Sequence, residues 1–186
     1  MAGALHSRPA IERRAFNEIR ADSKQRKIGG YAATFGAEAN LGSFVETIEP
    51  GAFRAALAGD VLALLDHDPA KVLGRTKSGT LTLREDSRGL AFELQVPDTQ
   101  AGRDVLALAE RGDLGGMSFG FVVPEGGESW NGRTRTLRSI GLREISVVSA
   151  WPAYEGTEIA LRALAHHDGA QRRARALRLA EVKQWA

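Results

Sequence analysis

Glycine constrains this chain more than any other residue. The sequence holds 21 glycines, nearly all between residues 26 and 162, and together with Asp and Ser they cut that stretch into short apolar runs. Long helices do not tolerate such punctuation, whereas strands of roughly four to eight residues fit between the breaks. Ile28 to Phe35, Phe44 to Ile48, Leu81 to Leu83, Leu90 to Val96, Met117 to Val123, Thr134 to Leu137 and Leu142 to Val148 read as strands. Val61 to Leu65 is continuously apolar, as a strand covered on both faces would be. Glu85-Asp86-Ser87-Arg88-Gly89 reads as a hairpin turn between two of these runs.

Two helices interrupt the strands. Ala52 to Ala58 is a short candidate after Pro50-Gly51. Thr99 to Arg111 is the stronger one, with Asp98 or Thr99 able to cap its free N–H groups and Gly112 to end it. The expected fold class is α+β, β-rich: a closed or nearly closed β-barrel with a few flanking helices. That domain spans 26–162. Residues 1–25 are polar and read as a loosely ordered arm, with a short helix around Ile11 to Ile19. Residues 163–186 form a basic tail rich in Ala, Arg and Leu, either helical or disordered, with four Arg between Gln171 and Arg178.

The residue inventory narrows the chemistry. There is no Cys, which removes disulfides, thiolate metal sites and a cysteine nucleophile. His occurs at positions 6, 67, 166 and 167 only, and no pair has a ligand spacing inside a core element, so no metal cofactor is expected. No apolar run approaches the ~20 residues that span a bilayer. The N-terminus lacks the apolar stretch of a signal peptide, so the expected location is the cytoplasm, with no membrane partner.

Serine hydrolysis needs a hydroxyl, a base and a group that orients the base. His67 is the one histidine in the strand-rich centre, at the point where a buried run gives way to a loop. Ser118 stands in Gly115-Gly116-Met117-Ser118-Phe119-Gly120, where glycines could let a substrate carbonyl approach backbone N–H groups. Glu144 lies in a strand whose alternation puts Leu142, Glu144, Ser146 and Val148 on one face, so it should be partly buried and partnered. Each has a plainer reading. His67 could be a surface loop residue between two aspartates, and Ser118 a small strand residue after a glycine turn. Glu144 could be the partner of Arg133, Arg135 or Arg138.

Taken in order, eight pieces resemble the prohead (head maturation) serine proteases of tailed bacteriophages. They are Gly30 to Phe35, Ile48 to Phe53, Leu65 to Pro69, Val72 to Thr76, Val96 to Thr99, Gly116 to Phe121, Glu144 to Val148 and Pro152 to Tyr154. The resemblance covers about Ile28 to Arg162. It implies a fold similar to that of the herpesvirus assembly proteases, with Ser118 as nucleophile and His67 as general base. Herpesvirus proteases use a second histidine as third member. No His lies between Ser118 and His166 here, so a carboxylate, Glu144, is expected instead. Arg75 or Arg143 could assist the oxyanion.

The resemblance also implies a place of action, inside the assembling prohead in a host or bacterial cytoplasm. The implied substrate is the scaffolding segment of the major capsid protein, together with the protease's own ends, and self-association is compatible with this. Two other classes compete: an inactive capsid-assembly scaffold, or a nucleic-acid-binding β-barrel using the basic tail. The first would be marked by loss of Ser118 or His67, and both are present. The second calls for aromatic platforms among basic strands, whereas aromatics are scarce and the arginine cluster lies outside the strands.

Overall fold

The computed structural model of the chain describes residues 11–16 and 19–150, with Gly169 and Arg173. Three of the four histidines, the rest of the basic tail and the Pro152-to-Tyr154 piece lie outside the described residues. Thirteen strands and one α-helix follow one another among those described. The first are β1 (Glu12–Phe16), β2 (Ile19–Asp22), β3 (Lys27–Thr34), β4 (Ala39–Asn40) and β5 (Val45–Ile48). Next come β6 (Leu62–Leu65), β7 (Asp68–Arg75), β8 (Leu81–Glu85), β9 (Gly89–Gln95) and α1 (Gln100–Arg111). The last are β10 (Gly116–Val122), β11 (Glu128–Asn131), β12 (Thr134–Leu137) and β13 (Gly141–Val148).

These strands form three sheets, ordered β1-β10-β13-β6-β7, β11-β12-β5-β4 and β2-β3-β9-β8. The β-rich character expected from the sequence is thus present. No run of these pairings closes into a ring among the described residues. One core lies between the sheets and α1. It takes Met117, Phe119, Phe121, Ile145 and Val147 from the first sheet, Ile28, Phe92 and Leu94 from the third, and Val105 and Leu106 from the helix. Phe119 and Phe121 stack at 5.1 Å between ring centroids, and Phe53 meets Phe119 edge-on at 5.6 Å.

Local chemistry accounts for the boundaries. Thr99 caps α1 by accepting the Gly102 N–H through its side chain, and Gly112 ends the helix in a left-handed conformation. Asp86 shapes the β8–β9 turn by accepting the N–H groups of Arg88 and Gly89 at 2.9 and 3.2 Å. The Ala52-to-Ala58 segment is turns ending in a single 3-10 turn over Ala56–Ala58, not an α-helix.

The N-terminal segment departs from expectation. In place of a helix around Ile11 to Ile19, it supplies β1, paired antiparallel to β10, and β2, paired to β3. Buried charge ties β1 in place. Arg135 is 1% exposed, yet it donates to both oxygens of Glu12 at 2.5 and 2.8 Å, to Glu46 at 2.9 Å and to Glu128 at 2.6 Å. Arg14 reaches Glu46 with two bonds of 2.5 and 2.8 Å and Glu12 with one of 3.0 Å. Buried charges persist only when paired and hydrogen-bonded, and this network meets both conditions while joining β1 to the second sheet. Burial alone would raise the Glu12 carboxyl, but Arg135 and Arg14 outweigh it and hold the group below its ordinary value.

Candidate active site

His67 is presented by the hairpin between β6 and β7. Leu65 pairs with Asp68, which leaves Asp66 and His67 alone at the tip. Both have positive φ, 52° and 59°, as a two-residue type I′ turn requires. Such turns normally use Asn-Gly or Asp-Gly. A histidine at the second place costs about 1–2 kcal/mol against the preferred backbone, and strain of this kind concentrates at functional sites. Asp66 holds the tip in place. Its N–H donates to Val147 O at 2.9 Å, and its carboxylate accepts the Ser149 N–H at 2.8 Å and the Ser149 hydroxyl. The hairpin is thereby tied to the end of β13.

Glu144 is placed by an irregularity between β10 and β13. Gly120 pairs with Glu144, but Phe121 pairs with Leu142, so Arg143 is an extra residue on its strand. The bulge sends Leu142 into the core with Phe121, and Glu144 to the opposite face. The simple alternation expected from the sequence, with Leu142 and Glu144 on one face, is therefore broken. Glu144 is buried nonetheless. Its Oε1 lies 2.7 Å from His67 Nδ1, and its Oε2 accepts the Ser146 hydroxyl at 2.6 Å. The Arg13 Nε stands 3.9 Å from Oε1. Arg135, one of the candidate partners for Glu144, belongs instead to the Glu12–Glu46–Glu128 network.

Ser118 lies mid-strand in β10 and is 3% exposed. It is the cross-strand partner of Ser146 on one side and of Ala15 on the other. Partners in an antiparallel pair share a face, with Cα atoms ~4.5–5.5 Å apart. Ser118, Gly120, Ser146 and Glu144 thus share the face away from the core, and the hairpin brings His67 to Glu144 there. No hydrogen bond joins Ser118 to His67 among the described residues.

The glycines before Ser118 meet steric demands at the start of β10. Gly116 has φ of 134°, and a Cβ on Gly115 would overlap the Ala150 carbonyl. The Gly115 N–H is engaged by Val148 O at 2.8 Å, and β10 is paired on both edges. These glycines shape the strand entrance, and the Gly115 N–H is already engaged within the sheet. Arg75 is committed to Asp60 through two bonds, whereas Arg143 is exposed at the bulge.

A carboxylate on Nδ1 fixes the ring orientation and the tautomer, leaving Nε2 as the basic nitrogen. Such an arrangement can take a proton from a hydroxyl and stabilise the resulting cation. Sequence reasoning missed Arg13, and saw Asp66 and Gly120 only as neighbours of His67 and Ser118. Ser146 left a trace as well, being assigned to the Glu144 face from alternation.

Searches of curated proteins and of solved structures give no significant match. Residues 12–171 match the family described as caudovirus prohead serine protease. This span includes β1, all three sheets and every residue of the site, and the chain belongs to the caudovirus prohead serine protease family.

Proposed function

We propose that the chain is a serine endopeptidase of capsid maturation in which Ser118 is the nucleophile, His67 its general base and Glu144 the group that orients His67. The observation that carries this reading is the 2.7 Å contact between His67 Nδ1 and Glu144 Oε1, on the sheet face that also bears Ser118.

In the proposed reaction His67 Nε2 takes the Ser118 proton as Oγ attacks the scissile carbonyl. The imidazolium, stabilised by Glu144, then returns that proton to the departing amine, which leaves an acyl ester on Ser118. Water, activated by the same histidine, releases the new carboxyl end. Without substrate the Ser–His contact is often long and tightens on binding.

The substrates in this reading are the scaffolding segment of the major capsid protein, inside the assembling head, and the ends of the protease itself. The pairing of β1 with β10 limits where the N-terminus can be cut. Cleavage that spares the site must fall before Glu12, because β1 lies beside the Ser118 strand along its whole length.

Co-expression with the capsid protein tests the reading. Wild type should shorten the capsid protein and itself. Ser118→Ala, shown to be folded by thermal melting, should leave both full length. Equal shortening by the variant would assign the cutting to another protease.

A further inference from the structure

We propose that Gly120 is a positioning residue, its missing side chain being the space in which the Glu144 carboxylate stands to reach His67. The inference rests on the roles given to His67 and Glu144 above. A methyl group on Gly120 would overlap Glu144 Oε1 and lie 3.0 Å from Cδ. Oε1 is the oxygen that meets His67 Nδ1. The backbone does not itself ask for glycine at this position. Gly116, two residues before Ser118, has a φ that L side chains rarely adopt, whereas Gly120 is not among the glycines with positive φ. What excludes a side chain at 120 is the carboxylate across the strand pair.

The carboxylate could move aside only by giving up contacts at its other oxygen. Its second oxygen is held at 2.6 Å by the Ser146 hydroxyl, and Ser146 is completely buried in the middle of β13. Gly120 and Ser146 together favour the observed position of the Glu144 head group. Gly120 supplies room on the His67 side, and Ser146 supplies the donor that fixes the opposite oxygen. Cross-strand register brings them to this spot, since Gly120 is the partner of Glu144 and Ser146 lies two residues along on the same face. Displacing the head group by about 1 Å frees the imidazole to turn, and a misplacement of that size can cost roughly 100-fold in rate.

The same methyl would also come 3.1 Å from Ile11 Cγ2, so loosened packing at the start of β1 has to be separated from displacement of the carboxylate. The test is a cycle read by capsid-protein cleavage, together with the downfield proton resonance of the His67 Nδ1–H held by Glu144. Gly120→Ala should cut the cleavage rate about 100-fold and abolish or shift that resonance. Glu144→Asp withdraws the carboxylate by one methylene, so adding Gly120→Ala to it should cost less than about threefold, the two changes being strongly non-additive. Adding Ile11→Ala to Gly120→Ala should restore neither reading. Ser118→Ala should keep the resonance while losing cleavage. Equal costs of Gly120→Ala in the two backgrounds, an unchanged resonance, or recovery with Ile11→Ala would each overturn the proposal. Cleavage surviving in Ser118→Ala would instead end the protease mechanism, and the resonance would still decide the role of Gly120.

Discussion

Replacing Arg135 with methionine should destabilise the fold in a pH-dependent way. Arg135 donates four hydrogen bonds to Glu12, Glu46 and Glu128. Methionine fills similar space but leaves Glu12 and Glu46 buried with Arg14 as their shared cation. Breaking a buried pair from one side costs about 3–5 kcal/mol. At about 2–4 °C per kcal/mol for a chain of this size, melting should fall by roughly 6–20 °C near neutral pH. Glu12 has its folded pKa held below the ordinary value. Its contribution is therefore complete above the ordinary carboxylate range and is lost as pH falls through the depressed value. Without Arg135 the Glu12 carboxyl loses the cation that holds its pKa down and takes up a proton sooner, so the gap between wild type and variant should narrow in acid. Melting curves of both proteins across pH 7 to 3 measure this. An equal loss at every pH, or no loss at neutral pH, would refute the reasoning.

Two further outcomes follow from the site. Ser118→Ala and His67→Ala should each abolish capsid-protein processing with no further loss on combination, since nucleophile and base act as a unit; Glu144→Gln should leave measurable processing on the same gel. Removal of the chain through Phe16 should abolish both the cooperative melting transition and processing, because it takes away Glu12, Arg14 and the strand beside Ser118.

The sequence carried the central strands and the helix because their signals are local. β3, β5, β6, β9 and α1 follow runs bounded by Gly, Asp or a cap, and each sits within a residue or two of its expected place. β1 was illegible for a physical reason. Glu12 and Arg14 point inward, and what makes that tolerable is Glu46 and Arg135, far along the chain. No local pattern announces a buried charge whose partners are distant. β7 was missed because Pro69, Ala70, Lys71 and Val72 form an exposed edge without alternation. His67, Ser118 and Glu144 were each visible as residue types in suggestive places, but their shared face depends on the bulge at Arg143 and on the left-handed turn at Asp66-His67. Neither leaves a mark in hydrophobic periodicity, and the position of Glu144 opposite Gly120 follows from the register alone.

The central claim is that Ser118 is the nucleophile, and covalent labelling measures it most directly. Proheads assembled by co-expression are treated with a fluorophosphonate, which phosphonylates an activated serine, and the protease is mapped by mass spectrometry. The account predicts an adduct on Ser118 in wild type, its near absence in His67→Ala and slower formation in Glu144→Gln. Continued capsid processing with Ser118 unmodified and the adduct on another residue would contradict it.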